Sequence, residues 1–276
     1  MKLLVFFCSV ASVLSGPLKD IPSKLVFGGK VAAPGQFPFY AYLQTDLKDP
    51  NEFNENCGAS ILSDRFLLTA GHCVAHATFG PNSPTTAFIN AIDRRDFKNS
   101  KIQAIKIKAV SILPNPKPDE APTDAAVLEL VEPIKFDNNV KPIAVARNWE
   151  KYTQENQVGT LVGLGNTQPK APSEVLLFAK LKIRSPHKCY NGYGGDDREQ
   201  LSLNSFCAGD GSNGSGGGDS GGPFVVQEKA QMFQVGISTF SIETMENKGD
   251  KPSGFFRAGL ACDFIEKTTR GTVKCV

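Results

Sequence analysis

One serine of the chain stands among glycines without a bulky neighbour, in the segment Gly217-Gly218-Asp219-Ser220-Gly221-Gly222-Pro223. Glycine adopts backbone angles closed to other residues, and a loop without large side chains lets a substrate carbonyl reach main-chain N–H groups. Ser220 is therefore a candidate nucleophile. A flexible Gly/Ser linker is the alternative, because residues 211–215 just upstream are low in complexity.

A serine hydroxyl is a weak nucleophile until a base takes its proton, and the chain has three histidines. His72 ends an apolar segment and adjoins Cys73, which could hold the turn in place. His76 and His187 lie among polar residues, and we expect both to be ordinary surface histidines. His72 is the candidate base, although in isolation a structural role would fit it better.

The imidazole of such a base must be held in one tautomer by a carboxylate. Asp124 stands immediately before the apolar run 125–128, at the entrance to a predicted buried strand. Alone it would be interpreted as a turn aspartate. Together with His72 and Ser220 it completes a candidate triad.

β-Strands must position these residues, because short runs rich in β-branched and aromatic residues recur between clusters of Gly, Pro, Asn and Asp. This pattern is typical of an all-β barrel or sandwich. One helix is predicted over residues 262–269, ended by Gly271 in the position of a helix C-cap. The predicted strands cover residues 39–43, 60–69, 102–112, 125–130, 160–164, 175–183, 223–226 and 233–240.

The chain has 276 residues, of which 41% are hydrophobic and 21% charged, as in ordinary globular proteins. Its net charge of +2 gives no reason to expect a nucleic-acid partner. The apolar run 3–11 is too short to span a bilayer, and the small residues Ser15 and Gly16 are typical of a signal-peptidase site. We expect a signal peptide over residues 1–15, secretion to the extracellular space and no membrane contact, with a buried N-terminal strand as the alternative.

Six of the seven cysteines remain once Cys8 leaves with the signal peptide. An even count in an exported chain predicts three disulfides, in pairings that the count leaves open. Because no Cys-x-x-Cys pair occurs and histidines are few, no metal site is expected. The six are Cys57, Cys73, Cys189, Cys207, Cys262 and Cys275.

Three segments resemble, in chain order, the signatures of trypsin-like (chymotrypsin-like) serine peptidases: Thr69-Ala70-Gly71-His72-Cys73, Asp124-Ala125-Ala126-Val127-Leu128 and Gly218-Asp219-Ser220-Gly221-Gly222-Pro223. The segment Val26-Phe27-Gly28-Gly29 is similar to the mature N-terminus of that family, and the resemblance covers about residues 26 to 269. The serine loop also fits the G-x-S-x-G pattern of α/β-hydrolases, but those enzymes place a histidine after the serine and none follows Ser220.

The resemblance implies an all-β fold of two packed antiparallel six-stranded β-barrels with a C-terminal α-helix. A propeptide over residues 16–25 would precede the peptidase domain 26–276, with the first barrel over about 26–145 and the second over about 146–276. The active site would lie in the crevice between the barrels.

The same resemblance implies a serine endopeptidase that works through an acyl-enzyme. His72 would take the proton of Ser220, Asp124 would orient the imidazole, and the N–H groups of Gly218 and Ser220 would stabilise the oxyanion. No cofactor is implied. The implied partners are protein or peptide substrates, an activating protease and protein inhibitors.

The resemblance also pairs Cys57 with Cys73 and Cys189 with Cys207. The remaining pair, Cys262 with Cys275, brackets the predicted helix and is not the usual arrangement of the family. A continuous helix over this spacing would hold the two residues about 20 Å apart, beyond disulfide reach. We therefore expect the chain to turn back at Gly271.

Zymogen activation in this family frees an N-terminus, here Val26, that forms a salt bridge with the aspartate before the serine, here Asp219. The alignment requires a cut after Leu25, whereas a trypsin-like activator would cut after Lys24. A secreted homologue that binds or regulates partners without cleaving them is accordingly the alternative function.

The specificity pocket would have Gly214 at its floor and Ser241 and Ser253 on its walls, so that no carboxylate faces a Lys or Arg side chain. We expect a shallower pocket for small or medium apolar side chains. Gly216 and Val226 replace cysteines that are often bridged in the family, which would leave the pocket adaptable. Asn213-Gly214-Ser215 is also an N-glycosylation sequon, either used or unused.

Overall fold

The computed structural model describes residues 29–45, 55–75, 83–99, 101–115, 122–167, 172–193, 204–210, 213–240 and 252–276. The predicted signal peptide and propeptide, Val26, His76 and Ser241 lie outside the described residues. No helix among the described residues is long and apolar enough to cross a membrane.

Fourteen strands form the two sheets of the described structure. In chain order they are β1 Lys30–Val31, β2 Tyr40–Thr45, β3 Glu55–Ile61, β4 Phe66–Thr69, β5 Thr85–Ile89, β6 Gln103–Ile112, β7 Ala126–Leu130, β8 Ala144–Val145, β9 Val158–Gly163, β10 Leu177–Lys182, β11 Ser205–Ala208, β12 Pro223–Glu228, β13 Gln231–Phe240 and β14 Ser253–Arg257.

Six of these strands close into an antiparallel barrel in the order β2-β3-β4-β7-β6-β5. Alternate side chains of β5 are buried, as expected for a strand with one face on a core. The buried faces of the barrel share one hydrophobic cluster that includes Ile61, Leu67, Ile107 and Leu128.

The second sheet has the order β1-β10-β9-β12-β13-β14-β11, with the short β8 paired to β13. It curls so far that β10 and β11 meet through a bridge between Ile183 and Ala208. Two main-chain bonds flank this bridge, from Arg184 N to Cys207 O and from Gly209 N to Lys182 O, each 2.9 Å long. A separate cluster built around Phe224 and Phe255 fills the interior of the curled sheet.

The two sheets pack through a third cluster, which joins Tyr40 and Tyr42 of β2 to Val162 and Val225 of the second sheet. A buried hydrogen bond of 2.5 Å from Ser60 Oγ to Gln234 Oε1 also crosses this junction. Because apolar surface from both sheets is removed from water here, the junction is stabilised by the hydrophobic effect. The predicted fold class is confirmed: the chain is mostly β, with a closed six-stranded barrel, a second curled sheet and a short C-terminal helix.

The described residues form two α-helices, α1 Pro186–Tyr193 and α2 Cys262–Thr268. The sequence predicted α2 and missed α1. After α2 the chain reverses, with Gly271 at φ 76° and Cys275 returned to 5.8 Å from Cys262 between Cα atoms. The turn predicted at Gly271 is therefore confirmed.

One predicted strand, over residues 60–69, is in fact two. The chain turns between β3 and β4, where Leu62 N donates to Phe66 O at 2.9 Å. Ser63 and Asp64 favour this turn because their side chains compete for backbone groups. Strands β5, β11 and β14 and the two-residue strands β1 and β8 were not predicted.

Candidate active site

Asp124 holds His72 by two hydrogen bonds. Its Oδ2 lies 2.8 Å from His72 Nδ1, and its Oδ1 accepts from the backbone N–H of His72 at 2.9 Å. The His72 side chain is 47% exposed and the Asp124 side chain 23% exposed, so the ring is accessible from solvent while the carboxylate that holds it is partly buried. With Nδ1 donating to the carboxylate, the neutral ring has its acceptor at Nε2, which is the tautomer that a general base requires.

The position of His72 follows from the end of β4. The chain leaves the strand at Thr69 and makes a short 3₁₀ turn over His72–Val74, next to Asp124. A Cβ on Gly71 would lie 3.3 Å from Asp124 Oδ1, so a larger residue there would crowd the carboxylate. The disulfide between Cys73 and Cys57 ties this turn to β3.

The loop of Ser220 is held by main-chain bonds to β3 of the first barrel and to β13 of the second sheet. Gly58 N of β3 donates to Ser220 O at 2.7 Å, and Gly221 N donates to Ser238 O at 2.7 Å. Gly218 and Gly221 have φ of 88° and 76°, in the left-handed region that favours glycine. A Cβ on Gly221 would also collide with Thr69 Oγ1 and Gly58 O.

Asp219 lies beneath this loop, with no exposed surface. Its Oδ1 accepts from Gly165 N and its Oδ2 accepts from Gly216 N, both at 2.8 Å. Side chains at Gly163 or Gly165 would overlap the carboxylate. Bonds to N–H donors favour the ionised form of a carboxyl, so the cradle suits a negative charge that anchors the serine loop from below.

The hydroxyl of Tyr40 belongs to the surroundings of Asp219. Tyr40 is 2% exposed, and burial, then the negative charge of Asp219, raise its pKa well above the ordinary value. The phenol therefore stays neutral and adds no charge beneath the serine loop. Sequence reasoning missed Tyr40 and Gly165, and it noted Gly216 as a replaced cysteine but not as a partner of Asp219. The Gly163-x-Gly165 pattern after an apolar strand was the one signal of a close approach.

The predicted pocket residues Gly214 and Ser253 are in contact. Ser253 Oγ accepts from Ser215 N at 2.7 Å, and a Cβ on Gly214 would lie 2.6 Å from the same oxygen. Both residues are buried, and Ser253 is 3% exposed. A small uncharged group therefore occupies the space beside Gly214. The sequon residue Asn213 lies half-buried in the adjoining turn, with its N–H 3.3 Å from Asp210 O.

Cys57, His72 and Cys73 come close enough for their donor atoms to lie within 4.8 Å of one another. The two sulfur atoms are joined in a disulfide, and the thiolate is the form that binds metals. The group does not fit a metal ion in this state.

The comparisons with known proteins agree with this geometry. The family model described as Trypsin matches residues 26–265 of the chain. The chain belongs to the trypsin family. The family predicted from the three signature segments is thereby confirmed, and the Cys57–Cys73, Cys189–Cys207 and Cys262–Cys275 disulfides are all present in the structure.

Several members of the trypsin family are similar over most of this chain. Serine protease 28 of Mus musculus is 25% identical over 277 residues, which cover 97% of this chain and 98% of the relative. Trypsin-1 of Astacus astacus is 29% identical over 218 residues, 77% of this chain and 87% of the relative. Clotting factor C of Tachypleus tridentatus is 24% identical over 258 residues, and this chain spans about a quarter of its length.

The trypsin family is a family of serine-protease-type hydrolases, and trypsin-like proteases act on protein substrates. In this chain, the structure brings His72 and Asp124 into direct contact. It also binds the Ser220 loop to β3, whose Cys57 forms a disulfide with Cys73, the residue after His72. His187 is exposed on α1.

Proposed function

We propose that this trypsin-family chain is a secreted serine endopeptidase, made as a zymogen, that hydrolyses peptide bonds through His72, Asp124 and Ser220. The observation that carries the proposal is the double hydrogen bond between His72 and Asp124, at 2.8 and 2.9 Å. A structural histidine needs one partner for its ring. Two bonds to the same carboxylate, from the ring and the backbone, orient the imidazole as a base must be oriented.

In the proposed mechanism, His72 Nε2 takes the Ser220 proton as the serine oxygen attacks the substrate carbonyl carbon. The N–H groups of Gly218 and Ser220 stabilise the negative charge on the carbonyl oxygen. His72 then gives its proton to the leaving amine, which leaves an acyl-enzyme. Water, deprotonated by His72, attacks that ester, and Ser220 recovers its proton as the acid product leaves.

Activation is proposed to bring the ammonium group of Val26 to Asp219. Support comes from the buried carboxylate, which two amides already hold in one orientation. A cation bound there would order the turn Gly216–Asp219 and with it the Gly218 N–H group. The cut that frees Val26 lies after Leu25, whereas a cut after Lys24 leaves one residue too many.

Substrate preference is proposed to be for small or medium apolar side chains before the scissile bond. The uncharged contact between Gly214 and Ser253 supports this preference, since neither residue can neutralise a lysine or arginine. Secretion is supported by the three disulfides, because such bonds persist in oxidising compartments.

A fluorophosphonate probe tests the proposal, because it labels only an activated serine. The chain is expressed through a secretory pathway and treated before and after removal of residues up to Lys24 or up to Leu25. We expect labelling of the form that begins at Val26, its loss in Ser220→Ala and its retention in Ser111→Ala. Failure to label either folded, processed form would contradict catalysis and favour the non-catalytic homologue.

A peptide-library cleavage profile of the labelled form then tests the pocket. Small or medium apolar residues should dominate before the cleaved bond. A profile dominated by Arg or Lys would overturn the proposed preference and leave the triad intact.

A further inference from the structure

A cavity of about 260 Å³ opens on the second sheet, apart from the proposed triad. Strand β11 forms one wall, the end of β14 and the start of α1 form others, and the 3₁₀ turn Trp149–Tyr152 with the residues that follow it forms the rim. Its lining includes Trp149, Arg184, Phe206 and Arg257. None of these residues has a part in the proposed mechanism.

Two arginines give the cavity its chemistry. Arg184 is 21% exposed, donates from Nε to Gly209 O at 2.6 Å and pairs through Nη2 with Asp210 at 3.3 Å. Arg257 donates from Nη1 to Thr153 Oγ1 at 2.8 Å, and its guanidinium lies 4.2 Å from the centroid of the Trp149 ring. Both guanidinium groups are thus held in place, which reduces the entropy lost when they bind an anion.

Positive charge continues from the cavity along β10. Lys180 and Lys182 are exposed on this strand. Because alternate residues of a strand point to the same side, Arg184, two residues after Lys182, continues this face. Lys188 is exposed on α1. Among the residues that line the cavity, Glu155 at the exposed rim is the acidic one.

We propose that this cavity binds a carboxylate side chain from an acidic peptide segment of a partner protein, while Lys180 and Lys182 contact the neighbouring acidic residues of that segment. Guanidinium groups bind carboxylates through paired N–H donors. The aromatic walls, Trp149 and Phe206, suit the methylene groups of a single inserted side chain. A sulfated glycan suits this site less well, because it binds broad open surfaces and has no single side chain to insert into a cavity.

The site carries its own spectroscopic probe, since Trp149 is the single tryptophan of the chain. The acetylated amide of hexaglutamate is titrated into the full chain with Ser220→Ala, which prevents cleavage. We expect a saturable change in Trp149 fluorescence that weakens as salt is added. Because binding is measured without turnover, the outcome is independent of whether the chain is an active peptidase.

Matched variants locate the binding. Arg257→Gln and Arg184→Gln should each weaken the peptide about tenfold or more, and Lys182→Gln, at an exposed position that folding tolerates, about threefold. Glu155→Gln should tighten binding, and Arg65→Gln on the first barrel should leave it unchanged. Circular dichroism identifies any arginine variant that does not fold. In that case the affinities of the Lys182→Gln and Glu155→Gln variants, both at exposed positions, test the proposal.

Three results would overturn the proposal. The first is no saturable fluorescence change, and the second is an affinity for the peptide that is the same in Lys182→Gln and Glu155→Gln as in the parent. The third is a heparin hexasaccharide that displaces the bound peptide at concentrations far below those at which the peptide itself binds. The last result would assign the basic surface to a sulfated glycan.

Discussion

At the scale of single residues, the proposed site depends on the hydrogen-bond donors of two carboxylates, Asp124 and Asp219. Both oxygens of Asp124 are used on His72, one for the ring and one for the backbone. Both oxygens of Asp219 are used on amides of two different loops. The first carboxylate therefore orients a side chain, whereas the second orients main chain.

Asp124→Asn tests the first role. The amide nitrogen of asparagine cannot accept from Nδ1–H, so the ring adopts the other tautomer and loses its acceptor at Nε2. We expect kcat to fall by about 10⁴ at neutral pH with little change in KM. Steady-state kinetics on an ester or peptide substrate measure both, and Asp64→Asn, at an exposed turn, is the control. A fall of less than tenfold would mean that Asp124 does not orient the base.

The buried phenol of Tyr42 makes the free energy of unfolding depend on pH in the alkaline range. Its side chain has no exposed surface, its hydroxyl has no hydrogen-bond partner among the described residues, and burial raises its pKa to about 12, partly offset by Arg94. A folded-state pKa above the unfolded value of about 10 favours the neutral phenol. This contribution is complete below about pH 10 and is lost as the pH rises through about 12.

Between pH 9 and 12 we therefore expect the free energy of unfolding to fall by about 2 kcal/mol more in the parent than in Tyr42→Phe. At pH 7 the two proteins should differ by about 1 kcal/mol or less, since phenylalanine leaves no polar atom without a partner. Urea unfolding across this pH range measures the difference. Parallel curves would show that Tyr42 does not titrate as a buried phenol.

At the scale of elements, the C-terminal segment is held on the first barrel and at its own end. The buried residues Cys262 and Ile265 of α2 belong to the core of the closed barrel. Arg147 pairs with Asp263 and Glu266 at 2.7 and 2.8 Å, and its N–H donates to Val276 O at 2.7 Å. The helix therefore docks by burial, while surface ion pairs contribute little.

Removal of the last disulfide tests how the turn at Gly271 is maintained. The double variant Cys262→Ala with Cys275→Ala should lose about 3 kcal/mol of unfolding free energy, as expected for a closed loop of this length. Activity below the unfolding temperature should remain near that of the parent, because α2 carries no group of the proposed mechanism. Urea unfolding and probe labelling check both. A loss below about 1 kcal/mol would mean that the ion pairs and main-chain bonds suffice without the disulfide.

At the scale of the whole molecule, the proposed site exists only where the two sheets meet. His72 and Asp124 come from the closed barrel and Ser220 from the second sheet, and the direct link is the 2.7 Å bond from Gly58 N to Ser220 O. A Cβ on Gly58 would lie 2.7 Å from Gly222 Cα and 2.9 Å from Gly222 N. The absence of a side chain at Gly58 thus sets how closely the sheets approach.

Gly58→Ala should accordingly separate the serine loop from the histidine. Misplacement of reacting groups by about 1 Å costs on the order of 100-fold, so we expect kcat/KM to fall by about that factor while the fold is retained. Kinetics and circular dichroism measure the two effects, with Ala59→Gly as the neighbouring control. Unchanged kcat/KM would show that the junction tolerates the methyl group.

Much of the fold could be predicted because the longer strands of both sheets have apolar patterns that can be recognised locally in the sequence. Helix α1 was missed because its residues Asn191 and Gly192 are poor helix formers, and a disulfide from Cys189 to β11 holds it instead. Strands β5, β11 and β14 were missed because short runs with threonine, serine or glycine resemble loops until a neighbouring strand pairs with them.

The sequence by itself determined the family, the candidate triad and the reversal of the chain at Gly271, because each depends on residue types in short segments. Only the tertiary structure decided that Gly165 and Gly216 hold Asp219, that Gly58 holds Ser220, and that Arg184 and Arg257 share a cavity. Except for the bond from Gly216, which is local, these contacts join residues far apart in the chain, as from Gly165 to Asp219 across 54 positions. Local patterns specify which face of a strand is buried, but the packing of the sheets specifies which polar atoms meet within hydrogen-bond distance.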